Sequence, residues 1–215
     1  MNIKAVIFDL DGVILSTDNF HYLSWKKMAD REGIYFDREI NERLRGVSRM
    51  ASLDILLEKS EREYSNVEKE KLAEYKNDEY RASLKDLSPD DIFPGVNDFI
   101  TFLQEKGIKI AIGSSSKNTK FILAQVGLTD QFEGAVSDGT NIIKSKPDPE
   151  VFLKAADMVG IPPAECLVIE DADAGIEAGK AAGMITLGVG PAAKHPDADY
   201  AALDVSSFDR TLIEA

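Results

Sequence analysis

Short, largely apolar runs alternate along the chain with segments whose apolar residues recur at helical spacing. The first run, residues 3–8 (IKAVIF), starts almost at the first residue and is stopped by the polar cluster Asp9-Leu10-Asp11-Gly12. Similar runs stand at 108–113, 167–169 and 185–190, with a weaker one at Ala135-Val136. Runs this short, with no polar face, suit strands buried on both sides. Between them, residues 95–106 carry Val96, Phe99, Ile100 and Leu103 on one helical face. Residues 117–126, 148–159 and 173–182 repeat that form. Strand alternating with helix predicts an α/β fold with a parallel sheet.

Residues 16–91 break the rhythm. They hold no convincing buried strand and read as a helical bundle inserted after the first strand, with Pro89 and Pro94-Gly95 marking the return to the sheet. The insert has 14 basic and 18 acidic residues, which read mostly as solvated helix faces.

Composition narrows the field. A chain of 215 residues is one large or two small domains. Its formal charge of −13 argues against a nucleic-acid or anionic-membrane surface. One cysteine, Cys166, cannot form an internal disulfide, which fits a reducing compartment. No stretch approaches the roughly 20 apolar residues of a membrane span, and the first residues lack the order of a signal peptide. A cytoplasmic protein with no nucleic-acid or membrane partner is the expectation.

Four elements could carry chemistry. Asp9 and Asp11 close the first strand, and Glu170-Asp171 follow the strand at 167–169. In such folds ligands bind outside the carboxyl ends of strands. If both strands are central, the carboxylates converge, and a hard divalent cation such as Mg2+ resolves their repulsion. Asp171 alone could equally be a helix cap. The third element, Ser114-Ser115-Ser116-Lys117-Asn118, offers hydroxyls and backbone N–H groups to an anion, or is an ordinary strand–turn–helix. The fourth is Lys146 in Lys144-Ser145-Lys146-Pro147, which is either a solvated charge or a cation aimed at the same edge. Together they describe a phosphoryl-transfer site. An aspartate is already ionised near neutral pH, so it needs no base, but its charge must be screened from an incoming phosphate.

In order and spacing, Asp9-Leu10-Asp11-Gly12-Val13, Ser114, Lys146-Pro147 and Glu170-Asp171 resemble the four motifs of the haloacid dehalogenase superfamily. The insert resembles its C1-type cap. The resemblance implies a Rossmann-like core, a parallel sheet flanked by helices, from residues 1–15 and 92–215, and a helical cap from 16–91. His21, Trp25, Arg45-Gly46-Val47-Ser48-Arg49, Lys76-Asn77-Asp78 and the segments around Ser114 and Lys146 are most similar to a branch that isomerises hexose phosphates. That branch interconverts β-D-glucose 1-phosphate and glucose 6-phosphate, with β-glucose 1,6-bisphosphate as intermediate and activator. A sugar-phosphate phosphatase of the same fold is the alternative.

The resemblance also implies roles. Asp9 is the nucleophile and Asp11 the general acid/base. Mg2+ is held by Asp9, the backbone carbonyl of Asp11, Asp171 and Glu170. Ser114 and Lys146 hold the transferring phosphoryl group, and Arg49, Ser116 and Asn118 hold the other phosphate. Thr17, His21, Arg45, Gly46, Val47, Ser48 and Lys76 line the sugar pocket. The cap excludes water from the phosphoenzyme by closing only on a sugar phosphate. His21 lies four residues before Trp25 on one helix face and is either a packed histidine or a contact to Asp11 or the sugar. Trp25 is either core packing or a sugar-stacking platform. Sugar phosphates are the only partners implied, and a monomer is the implied state. Ser16 stands where that branch has an aspartate at the cap hinge, and Arg45 where a lysine is usual. Neither change removes a group the reaction needs.

Overall fold

A computed structural model describes residues 2–44 and 47–214. In chain order the elements are β1 (Ala5–Phe8), α1 (Asp18–Glu32), α2 (Arg38–Glu42), α3 (Arg49–Leu57), α4 (Asn66–Ser83), α5 (Val96–Glu105), β2 (Lys109–Gly113), α6 (Thr119–Gln125), β3 (Val136–Ser137), α7 (Glu150–Val159), β4 (Cys166–Glu170), α8 (Asp173–Ala181), β5 (Ile185–Val189), β6 (Tyr200–Ala202) and α9 (Thr211–Glu214). The chain divides into two compact units, Met1–Ser16 with Leu87–Ala215, and Thr17–Asp86.

The first unit is a parallel sheet in the order β3-β2-β1-β4-β5-β6. The chain builds outward from β1 through β2 to β3, then crosses back by α7 to β4 on the other side of β1. This strand order reverses between β1 and β4, and such a reversal opens a ligand crevice beyond the strand ends. Register brings those ends level: Phe8 lies opposite both Ile112 and Ile169. Alternation along β1 sends Ile7 and Phe8 to opposite faces. Ile7 joins Val168, Ala111, Val151 and Phe152 on one side. Phe8 meets Phe99 and Phe132 edge-on, at 6.0 and 6.1 Å between centroids, on the other. β1, β2, β4 and β5 therefore form where the apolar runs at 3–8, 108–113, 167–169 and 185–190 predict strands, with bounds shifted by one or two residues.

β6 has no counterpart among the predicted strands. It is three residues long, partly exposed, and follows a polar stretch, so no apolar pattern marks it. The boundary between units also differs from the expected one. Ser16 and residues 87–91 go with the sheet, where Leu87 is buried, Ile92 pairs with Leu15, and Phe93 N donates to Ile14 O at 2.8 Å.

The second unit is the helical bundle α1–α4, with no strand among its described residues. Trp25, Met28, Phe36, Leu53, Leu56 and Leu72 form its apolar core. Its N-terminal caps follow from sequence: the Ser48 hydroxyl accepts from Ala51 N, and Ser65 with Glu68 closes a capping box on α4. Exposed pairs such as Lys69–Asp54 cover the outside and contribute little stability. Among the described residues no helix is long and apolar enough to cross a membrane.

Candidate active site

The ends of β1 and β4 carry the predicted carboxylates. Asp9 follows Phe8 directly, and its N–H continues the ladder by donating to Ile169 O at 3.0 Å. Glu170 is the last residue of β4 and Asp171 the next. Asp9, Glu170 and Asp171 are all buried, and each offers a carboxylate oxygen within 4.8 Å of the others. Asp11 does not contribute a carboxylate to that cluster. Its backbone turns back instead, with a bridge to Leu15 and a bond from Gly12 N to Leu15 O at 2.7 Å.

The turn is glycine for a reason. Gly12 has φ of +85°, and a Cβ there would stand 2.1 Å from Asp171 Oδ2. Gly175 is a similar case one turn into α8, where a Cβ would fall 1.9 Å from the Glu170 carboxyl carbon. Both glycines let a carboxylate seat against bare backbone. Gly175 was not among the predicted site residues. Its only sequence signal is a glycine inside a helix pattern five residues after Glu170.

Lys146 enters this cluster from the loop before α7. Its ammonium donates to Asp9 Oδ1 at 2.6 Å and pairs with Glu170 Oε1, while lying 4.7 Å from the centroid of Phe152. Glu170 Oε2 accepts from the backbone N–H groups of Asp171 and Ala172 at 2.9 and 3.0 Å. Burial acts to depress the Lys146 ammonium, but Asp9 and Glu170 hold it above its ordinary range. Burial and the neighbouring Asp9 charge push the Glu170 carboxyl up to about 7, against the pull of Lys146 and the backbone donors. Lys146 thus keeps its proton and balances part of the charge. Three convergent buried carboxylates are the hard oxygen set that suits a small divalent cation.

The segment after β2 is bonded to itself and to β3. Ser114 N donates to Ser137 O at 3.0 Å, Ser116 N to Ser114 Oγ at 3.2 Å, and Asn118 N to Ser116 Oγ at 3.1 Å. Ser114 and Asn118 are buried. These turns hold the hydroxyls of Ser114 and Ser116 beside the backbone just beyond the sheet edge. Asp9, Ser114, Lys146, Glu170 and Asp171 are therefore gathered at one edge of the first unit.

The remaining predicted residues lie in the second unit. Thr17 Oγ1 accepts from the Tyr80 hydroxyl at 2.8 Å. His21 Nδ1 is 2.8 Å from Lys76 Nζ, and Lys76 is buried over the rings of Trp25 and Tyr80. Trp25 is 2% exposed in the bundle core, which is the packing arrangement and not a stacking platform. Arg49 begins α3 behind the Ser48 cap and donates to Asn77 Oδ1 at 2.7 Å. Val47 is half-buried just before that cap. Arg45 and Gly46 lie outside the described residues.

Residues 3–183 match the family model of haloacid dehalogenase-like hydrolases, and the chain belongs to that family. Over 212 residues it is 43% identical to a β-phosphoglucomutase of Bacillus subtilis, covering 98% of this chain and 93% of that one. It is 30% identical to a phosphorylated carbohydrates phosphatase of Thermotoga maritima, covering 84% and 82%. Its fold superposes on the crystal structure of a β-phosphoglucomutase from Clostridium difficile with a TM-score of 0.92 at 37% identity, covering 99% and 96%.

Proposed function

We propose that this protein interconverts β-D-glucose 1-phosphate and glucose 6-phosphate through an aspartyl phosphate and β-glucose 1,6-bisphosphate. The observation that carries the reading is Asp9, a buried carboxylate at the end of the central strand with the Lys146 ammonium 2.6 Å away. The 43% identity to a β-phosphoglucomutase supports a sugar hydroxyl, not water, as the acceptor.

In this reading the Asp9 carboxylate attacks the phosphorus of a sugar phosphate, the bond from phosphorus to the sugar oxygen breaks, and Asp11 gives that oxygen its proton, leaving Asp9 phosphorylated. The phosphoenzyme passes the group to the C6 hydroxyl of β-glucose 1-phosphate, and Asp11 takes the hydroxyl proton. The resulting bisphosphate returns its C1 phosphoryl group to Asp9, and Asp11 gives the proton to the departing C1 oxygen. Ser114 and Lys146 hold the moving phosphoryl group. Arg49, Ser116 and Asn118 hold the other phosphate, for which a guanidinium can supply two parallel hydrogen bonds. Thr17, His21, Val47, Ser48 and Lys76 orient the sugar. Asp9, Glu170 and Asp171, with the Asp11 carbonyl, would hold Mg2+, which supplies charge neutralisation at the transferring phosphoryl. The protein acts on these small molecules as a cytoplasmic monomer.

The test is anomer-specific. With Mg2+ and a trace of the bisphosphate, glucose 6-phosphate should form from β-glucose 1-phosphate and not from the α anomer. Chelation of Mg2+ should bring the rate to background and added Mg2+ should restore it. Equal use of both anomers, or a rate unmoved by chelation, contradicts the reading.

A further inference from the structure

Tyr80 lies in α4, between Glu79 and Arg81 on one of the most charged stretches of the chain, yet it is 1% exposed. Its ring is stacked on the His21 imidazole, with centroids 4.1 Å apart and planes 28° from parallel. The Lys76 ammonium is 4.4 Å from the centroid of the same ring. The Tyr80 hydroxyl donates to Thr17 Oγ1 at 2.8 Å. One side chain therefore touches three residues assigned to the sugar, and nothing in the sequence pattern marked it.

With Lys76 charged, its contact with His21 takes one chemical form. An ammonium has three donors and no acceptor, so Nδ1 must accept and the imidazole proton must sit on Nε2. Burial and the positive charges of Lys76 and Arg49 hold His21 well below its ordinary pKa, which keeps it neutral. The stack fixes the plane of the imidazole. The attraction of a cation to a ring face holds the ammonium. Both partners of the Lys76–His21 bond are thus carried on one ring.

We propose that Tyr80 is a positioning residue that fixes His21 as a neutral Nε2–H donor toward the substrate, by holding both the imidazole and the Lys76 ammonium. It rests on the assignment of His21 and Lys76 to the sugar phosphate made above. The ring carries the effect while the hydroxyl donates to Thr17, so phenylalanine should substitute and an aliphatic residue should not.

The chain has two histidines, so nitrogen–proton correlation spectra of the ring nitrogens are readable, with His195→Asn identifying the His21 signals. In the native protein at pH 7 His21 should be the neutral Nε2–H tautomer. An imidazolium or the Nδ1–H tautomer overturns the proposal before any variant is made. Tyr80→Leu should mix the tautomers and lower kcat/KM for β-glucose 1-phosphate at least about tenfold. Tyr80→Phe should keep the native tautomer and lose no more than about threefold. If the leucine variant does not fold, Tyr80→Met takes its place, and the native and phenylalanine spectra still decide. A leucine or methionine variant with the native tautomer and rate, or a phenylalanine variant without that tautomer, overturns the proposal. Failure of the mutase reading is separate: the native protein would then turn over no β-glucose 1-phosphate, whatever its His21 spectrum.

Discussion

Asp9→Asn should lower turnover by at least about ten-thousand-fold, since it removes the atom that attacks phosphorus. The fold should survive. The amide is nearly isosteric, and it removes one of three carboxylates held within 4.8 Å of one another. Lys146 keeps its pairing with Glu170, so no buried cation is stranded. The melting temperature should therefore equal or exceed that of the native protein in the absence of divalent cation. Steady-state rates with a thermal scan of the same preparation check both halves. Turnover within tenfold of native would remove Asp9 from the nucleophile's role. Lost turnover with an unfolded protein would mean that the charge cluster is arranged differently.

Lys146→Met is the second variant, and it acts on stability. Lys146 is 4% exposed and pairs with both Asp9 and Glu170. Removing one partner of a buried ion pair costs about 3–5 kcal/mol, because the other charges stay desolvated. The sign of the pH dependence follows from Glu170. Its carboxyl stands at about 7 in the folded protein, against about 4.3 for a free glutamate. Without Lys146 it is pushed higher still. Between those values the native state binds more protons than the unfolded state, so stability falls as pH rises through the window. The deficit of the variant should be smaller near pH 5 than near pH 8, and added Mg2+ should reduce it at the higher pH. Denaturant midpoints at the two pH values measure this. Equal deficits at both would mean that Lys146 is held by packing alone.

The sheet and its carboxylates were legible because the apolar runs that make strands end at the residues that do chemistry. Asp9 and Glu170 each follow an unbroken run, and register alone then makes them neighbours. Lys146 was legible as a motif, but its three-way meeting with Asp9 and Glu170 needs the loop before α7 to fold back over the sheet edge, and no local pattern encodes that. Gly175 and Tyr80 were missed for a related reason. Each matters through a spatial neighbour outside its own helical pattern, Glu170 against a bare Cα and His21 against a ring. Periodicity sees a glycine in a helix and an aromatic in a charged run. Trp25 stood between two readings until its burial in the bundle core assigned it to packing. β6 was not legible because a short, partly exposed edge strand needs no apolar run.

The phosphoryl group on Asp9 can go to a sugar hydroxyl or to water, and that partition defines the activity. One sample of native protein with Mg2+, β-glucose 1-phosphate and a trace of the bisphosphate would be followed for two products at once. Glucose 6-phosphate is read through a coupled dehydrogenase, and free phosphate by a parallel colour assay. Rapid glucose 6-phosphate with little free phosphate is the expected result. Free phosphate equal to or above glucose 6-phosphate would contradict it and make the protein a phosphatase.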